Sequence, residues 1–414
     1  MRLPTMKRLL QSSTAPLLCG LACRLLYLLL VPQRMPENDD AFYWGTARAL
    51  AQGIGYVYHG QPATDWMPGF PLFLTPWVWL FRENLFACRL VIVALSVATI
   101  PLAGRVATEW FGARVGRLFS WVIALFPPFW FYSVSILSET QAIFLVLAML
   151  AMAARLRRGF AWRSTIGLGL CYGAALYTKP ELVLLGPAYV LVSWLRPHAL
   201  PRRAAIIMVV VGATTLAPWT LRNYHLFGEF IPLKASAGIT LWWASHHPPI
   251  VELDRNDPEL LDAQKRLNVA GKPGQTSKNF SHEAMQRILA APHLYLKDCI
   301  TDRAFRLFVG SQTEASTVLS PTYGQLFRRG WYFRLAIKCL LLLVQCTFVV
   351  LGYLGLFLSR KDNDERAVAR AHLLTNTAVY IVVLGVSRYA MVLLPILIPH
   401  AIAIVCDLWP KQKT

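Results

Sequence analysis

The stretch Asn38-Asp39-Asp40-Ala41-Phe42-Tyr43-Trp44 stands a few residues past an apolar run, about residues 14–33, long enough to cross a membrane. Two adjacent carboxylates at the end of such a run decide how the rest of the chain is read. Taking an acid into a bilayer core costs about 2.5–3.5 kcal/mol even on insertion scales, so acids held at a membrane surface point to function.

Of the 414 residues, 56% are hydrophobic and 15% charged, and mean hydropathy is +0.44. One soluble core could not absorb that much apolar surface. The formal charge of +19 is distributed as short Lys/Arg clusters between apolar runs, the pattern of a polytopic membrane protein. An extended basic patch with interleaved aromatics is absent, which sets nucleic acid aside. Most of the eight cysteines lie inside apolar runs (Cys19, Cys23, Cys171, Cys339, Cys346, Cys406), and Cys299 alone stands well inside a large polar region, so no disulfide framework is implied. Lys7 and Arg8 precede the first apolar run without a convincing cleavage site after it, and an uncleaved first span is expected.

The expected architecture is an all-α polytopic membrane protein of about ten transmembrane helices with two outer-face (periplasmic) loop regions containing amphipathic helices. Spans are drawn at 14–33, 84–105, 115–132, 137–154, 164–179, 181–195, 204–221, 335–358, 371–387 and 389–408. The basic clusters are Arg2/Lys7/Arg8, Arg105/Arg114/Arg117, Arg155/Arg157/Arg158/Arg163, Arg196/Arg202/Arg203, Arg360/Lys361/Arg366/Arg370 and Lys411/Lys413. All fall on one side of this arrangement, which makes that side cytoplasmic, with both termini inside. The chain then divides into 1–33 (N-terminus and first span), 34–83 (first outer loop with the acid pair), 84–221 (transmembrane core), 222–334 (large outer loop) and 335–414 (C-terminal spans and tail). The first outer loop is expected to hold an amphipathic helix from near Asp40 to Gly53 and an apolar helix after Pro71. The second is expected to be polar from Asn256 to Ser281, with a helix that Ser281 caps and Pro292 breaks.

Charged and strongly polar residues then gather at the outer helix ends: Asp39 and Asp40, Glu139, Lys179-Pro180-Glu181, Arg222 and Arg388. An anionic substrate held by cations beside a carboxylate base needs this mixture. Each residue also has a plainer reading. Asn38 or Asp39 could cap the following helix, which for a lone Asp outweighs catalysis. Glu139 could be a first-turn acid. Lys179 and Glu181 could pair across Pro180. Arg222 and Arg388 could snorkel to lipid headgroups. Together, on one face, the plain readings lose ground. His246 and His247 read as a surface aromatic/His loop, because adjacent histidines do not easily share a tetrahedral ion. The sequon Asn279-Phe280-Ser281 carries little weight.

These residues resemble a family: the GT-C-fold, polyprenyl-phosphate-sugar-dependent glycosyltransferases, specifically the bacterial branch similar to protein mannosyltransferases and aminoarabinose transferases. Its acid-acid pair followed by Tyr is matched by Asp39-Asp40-Ala41-Phe42-Tyr43, with Asp where Glu is common at the second position. Further matches in order are Pro68-Gly69-Phe70-Pro71, Pro127-Pro128 leading to Tyr132-Ser133 and Ser138-Glu139, and Lys179-Pro180-Glu181. They continue with Pro218-Trp219-Thr220-Leu221-Arg222-Asn223-Tyr224, Phe227-Gly228 and Arg388-Tyr389. The likeness runs from about 15 to 405. It departs at Ser245-His246-His247, and it ends short of the additional spans and outer domain of longer relatives, so acceptor recognition is not carried over.

The resemblance implies inverting transfer of a sugar from a polyprenyl-phosphate donor to a hydroxyl on a lipid, glycan or protein at the non-cytoplasmic face of the inner (plasma) membrane. Asp39 would be the general base; Asp40 and Glu139 would orient the acceptor or a divalent ion such as Mg or Mn, a dependence the sequence leaves open. Lys179, Arg222 and Arg388 would meet the phosphate, with Tyr43 and Glu181 also binding substrate. The rival reading is a transporter or flippase of an anionic lipid or sugar, which needs charges near the bilayer midplane and, usually, inverted repeats.

Overall fold

The computed structural model describes residues 14–32, 37–247, 257–310, 312–316, 318–358, 364–383 and 385–408, apart from the side chain of Glu365. Arg2, Lys7, Arg8, Arg360, Lys361, Lys411, Lys413 and Asn256 lie outside these residues. The elements in chain order are α1 (Ala15–Leu30), α2 (Asp39–Ala51), a hairpin of β1 (Val57–Tyr58) and β2 (Gln61–Pro62), α3 (Gly69–Leu80), α4 (Leu85–Phe111), α5 (Ala113–Leu125), α6 (Pro128–Ser133), α7 (Glu139–Arg157) and α8 (Trp162–Thr178). A 3₁₀ turn (Pro180–Leu184) leads into α9 (Leu185–Leu195), followed by α10 (Arg202–Thr215), α11 (Ala217–Phe227), α12 (Ala237–Ala244), α13 (Pro258–Leu267), α14 (Pro273–Ala290) and α15 (Pro292–Asp298). The rest are α16 (Ala304–Val309), α17 (Tyr323–Arg328), α18 (Tyr332–Leu358), α19 (Asp364–Val383) and α20 (Ala390–Leu408).

The protein is a helical, multi-pass membrane protein. Among the described residues, five helices are long and apolar enough to cross a membrane: α4, α7, the continuous α10–α11, α18 and α20 with its preceding turn. Apolar α1, α3 and Pro180–Leu195 are shorter. Two helices form the centre. In α20 every residue from Ala390 to Ala403 is buried, and most of α7 is buried too, as expected of helices apolar on all sides. Close approach comes from small residues: a Cβ at Gly352 or Gly355 of α18 would meet backbone oxygens of α20 at 2.7 Å.

The segment expected as one span over 115–132 is broken, because Pro127-Pro128 cannot continue α5. The carbonyls left at that break are taken by Arg24, fully buried on α1. Its guanidinium donates to Ile123 O at 3.0 Å, Ala124 O at 3.3 Å and Ser96 Oγ at 2.8 Å. In lipid such backbone groups must find protein partners, and an arginine at the negative end of a helix supplies them.

The long 222–334 segment is more helical than its polarity suggests. Ser281 is interior to α14, which starts at Pro273, so the expected cap is wrong; a proline at the first helical position is the stronger start signal. The break at Pro292 is present. Trp242, Leu260, Phe280 and Ala284 bury a small core of their own. His246 belongs to this unit rather than to a surface loop. It is buried, with Nδ1 at 2.8 Å from Trp242 O and Nε2 at 3.1 Å from Glu259.

Candidate active site

Helix α2 starts at the acid pair and presents Asp39 to the turn Ser387–Tyr389 that leads into α20. Asn38 precedes the pair with φ 54° and ψ −126°, a sparsely populated backbone for a non-glycine residue. Its side chain makes no capping bond. Asp39 does not cap either: its Oδ2 accepts from Arg388 Nη2 at 2.6 Å. Asp40 Oδ2 instead accepts from the Ile136 peptide N–H at 3.1 Å. Burial pushes the Asp40 carboxyl up to about 6, against that hydrogen bond, with the nearby charges of Glu139 and Asp39 pushing the same way.

Glu139 opens α7, almost wholly buried. Its Oε1 accepts from Lys179 Nζ at 2.8 Å, and Arg388 Nε stands 3.9 Å from the same oxygen. Lys179 therefore does not pair with Glu181 across Pro180. Glu181 meets Lys234 at 2.5 Å, an arrangement that raises the Lys234 ammonium: burial alone would lower it, but the Glu181 carboxylate outweighs that. Opposite charges thus alternate from Asp39 through Arg388, Glu139, Lys179 and Glu181 to Lys234. The backbone around them is tightly set. A Cβ at Gly69 would lie 2.5 Å from the Tyr177 carbonyl, so the Pro68-Gly69 step lets α3 abut the end of α8. Tyr43 is buried against Phe70, with its hydroxyl 3.4 Å from Ser138 Oγ.

Asp39, Asp40 and Arg388 line one cavity of about 430 Å³ with Asn38, Arg89, Tyr132, Glu314, Ser316 and Ser320. That volume is in the range of small-molecule sites, about 300–1,000 Å³. Glu139 and Lys179 sit behind Arg388. Glu181 and Arg222 do not line the cavity. Arg222 donates to Tyr56 O at 2.8 Å, Ala63 O at 2.9 Å and Asn223 Oδ1 at 2.8 Å, and it lies over the Tyr56 and Trp219 rings. Its work is to hold the β1–β2 loop, not to meet lipid. Arg89, Glu314, Ser316 and Ser320 line the cavity but carried no role in the sequence reading. Arg89 had a signal, a cation inside an apolar run. Glu314, Ser316 and Ser320 had none; they arrive from the end of the long 222–334 segment, where Glu314 accepts from Ser387 Oγ next to Arg388.

Among the described residues, no three His, Cys, Asp or Glu side chains stand where they could share a metal ion. Asp39 and Glu139 each face a cation instead. Paired in this way, Asp39 and Glu139 do not offer a divalent ion free carboxylates.

No known family's sequence pattern matches the chain, and no curated protein matches it. Solved structures do. The archaeal oligosaccharyltransferase AglB from Archaeoglobus fulgidus, in complex with an inhibitory peptide and a dolichol-phosphate, superposes with a TM-score of 0.55 over 97% of this chain at 14% identity. The Archaeoglobus fulgidus oligosaccharyltransferase tethered to an acceptor peptide containing the NVT sequon gives 0.56 over 97% at 11% identity. ArnT from Cupriavidus metallidurans bound to undecaprenyl phosphate gives 0.43, covering 92% of this chain and 78% of its own at 15% identity. The chain spans about half the length of the two oligosaccharyltransferase chains. It shares the GT-C fold that its motifs resemble.

Proposed function

We propose that this chain is a membrane glycosyltransferase that moves a sugar from a polyprenyl-phosphate donor to a hydroxyl acceptor at the non-cytoplasmic membrane face. The observation that carries the reading is the ion pair of Asp39 with Arg388, residues from opposite ends of the chain, on the wall of one cavity in a GT-C fold. A dolichol-phosphate is bound to AglB, which supports a lipid-phosphate donor here.

The acceptor oxygen attacks the anomeric carbon as the bond from that carbon to the phosphate oxygen breaks. Asp39 takes the hydroxyl proton, and the polyprenyl phosphate leaves with the bonding pair, so the anomeric centre inverts. Arg388 has two anionic suitors. Without donor it pairs with Asp39; with donor its planar fork turns to the phosphate, which frees Asp39 to act as base just when the leaving group is in place. Glu139, held by Lys179, keeps the Arg388 guanidinium within 4 Å and so positions it. Asp40, ionised above about pH 6, orients the acceptor hydroxyl. Arg222 acts through the loop it clamps, while Tyr43 fixes the segment that carries Ser138 and Glu139.

The test is compositional analysis of cell-surface glycolipids and glycans with and without the protein. One sugar should vanish from the surface while its polyprenyl-phosphate form accumulates. Unchanged surface composition and unchanged lipid-linked sugars would contradict the reading.

A further inference from the structure

The far end of α7 carries a second cavity that the proposed reaction does not use. Glu139 opens this helix at the acid site; Arg155 lies sixteen residues on, about 24 Å away at about 1.5 Å per residue and so at the other end of the bundle. There a cavity of about 430 Å³ is lined by Arg105 and Glu109 of α4, Arg155 of α7 and the connection Arg158–Ala161. Three guanidiniums face one carboxylate, a local charge of +2. Glu109 is taken by Arg158. Among the described residues, neither Arg105 nor Arg155 has a carboxylate partner. Beside the opening, Phe160 and Trp162 stand exposed, their rings edge to face at 5.1 Å.

The preference for basic residues on one membrane face explains why arginines are here. It does not explain why two of them, from different helices and with no ion-paired acid among the described residues, converge on a concave site. Guanidinium forks recognise phosphate oxygens in a bidentate way, and exposed aromatic rings settle at the headgroup level of a bilayer. Basic pockets between membrane helices take anionic headgroups. We propose that this cavity binds the phosphate of an anionic phospholipid headgroup from the leaflet opposite the acid site. The inference stands on Arg105, Arg155 and the aromatic pair, and does not depend on the reaction.

The experiment uses the purified full-length protein in native mass spectrometry, with phosphatidylglycerol and phosphatidylcholine of the same acyl chains as probes. The wild type should retain phosphatidylglycerol preferentially. Arg105→Gln/Arg155→Gln should weaken that retention about 30-fold, from about fivefold for each basic residue. Arg114→Gln/Arg117→Gln removes the same charge from the same face, at exposed positions outside the cavity, and should retain the lipid as the wild type does. Equal loss in both double variants, or no loss in the first, would overturn the site. Displacement of the lipid by millimolar inorganic phosphate would overturn the lipid source. Where the glutamine variant fails to fold, Arg105→Lys/Arg155→Lys carries the test, with several-fold weaker retention expected because an ammonium lacks the fork.

Discussion

Replacing Lys179 by Met isolates the buried half of the charge network. Glu139 has a side chain 1% exposed and Lys179 one 8% exposed, and their atoms meet at 2.8 Å. Removing one partner of such a pair strands a charge and costs about 3–5 kcal/mol. Arg388 Nε, 3.9 Å from the same Glu139 oxygen, offers partial compensation, so the low end applies. About 3 kcal/mol lowers the folded-to-unfolded ratio by about a hundredfold. Lys179→Met should therefore unfold at a clearly lower SDS fraction in mixed micelles. Adding Glu139→Gln removes the stranded charge and should recover most of that loss. Activity should not follow stability: the double variant leaves Arg388 without its buried counter-charge, and donor use stays impaired. A Lys179→Met protein as stable as the wild type, or a double variant less stable than the single, would refute the idea of a dry, paired site.

Three further outcomes follow. Asp40 protonates as pH falls through about 6, so if its ionised form orients the acceptor, kcat/KM should fall below that pH, and Asp40→Asn should lose this acid limb along with part of the rate; a profile flat from pH 5 to 7.5 in the wild type contradicts the role. Arg388→Lys should raise the donor KM in detergent because an ammonium cannot grip phosphate at two points; unchanged kinetics would remove Arg388 from donor binding. Cysteine placed at Gln61 or Asn268, both exposed, should react with an impermeant thiol reagent in permeabilised-envelope cells above the parent protein's background; labelling only after lysis would reject the outer-face assignment.

Much of this was legible in the chain, for identifiable reasons. Asp39-Asp40 stood out because acids so close to an apolar run need a cause. The expected helix from near Asp40 to Gly53 corresponds to Asp39–Ala51, but its residues are all buried or half-buried, so the amphipathic face expected of it is not there. The partners were not legible. Lys179 and Glu181 are neighbours in sequence, yet packing of α7 against α8 gives Lys179 to Glu139 and leaves Glu181 to Lys234. Arg222 reads in the sequence as a snorkelling or phosphate-meeting cation because nothing local says that carbonyls of residues 56 and 63 come to it. Glu314 reaches the cavity through a long loop whose path no local pattern encodes. Arg24 and Pro127-Pro128 carried readable signals of a broken helix, a cation and a helix breaker inside drawn spans.

The most direct measurement of the central claim is transfer by the purified protein from a polyprenyl-phosphate sugar to a hydroxyl acceptor, wild type against Asp39→Asn. Asparagine keeps the side chain's shape but cannot take a proton. The account predicts unchanged protein level, donor binding at least as tight because Arg388 loses its competing carboxylate, and transfer lowered by about 10²-fold or more. Full transfer by Asp39→Asn would contradict it.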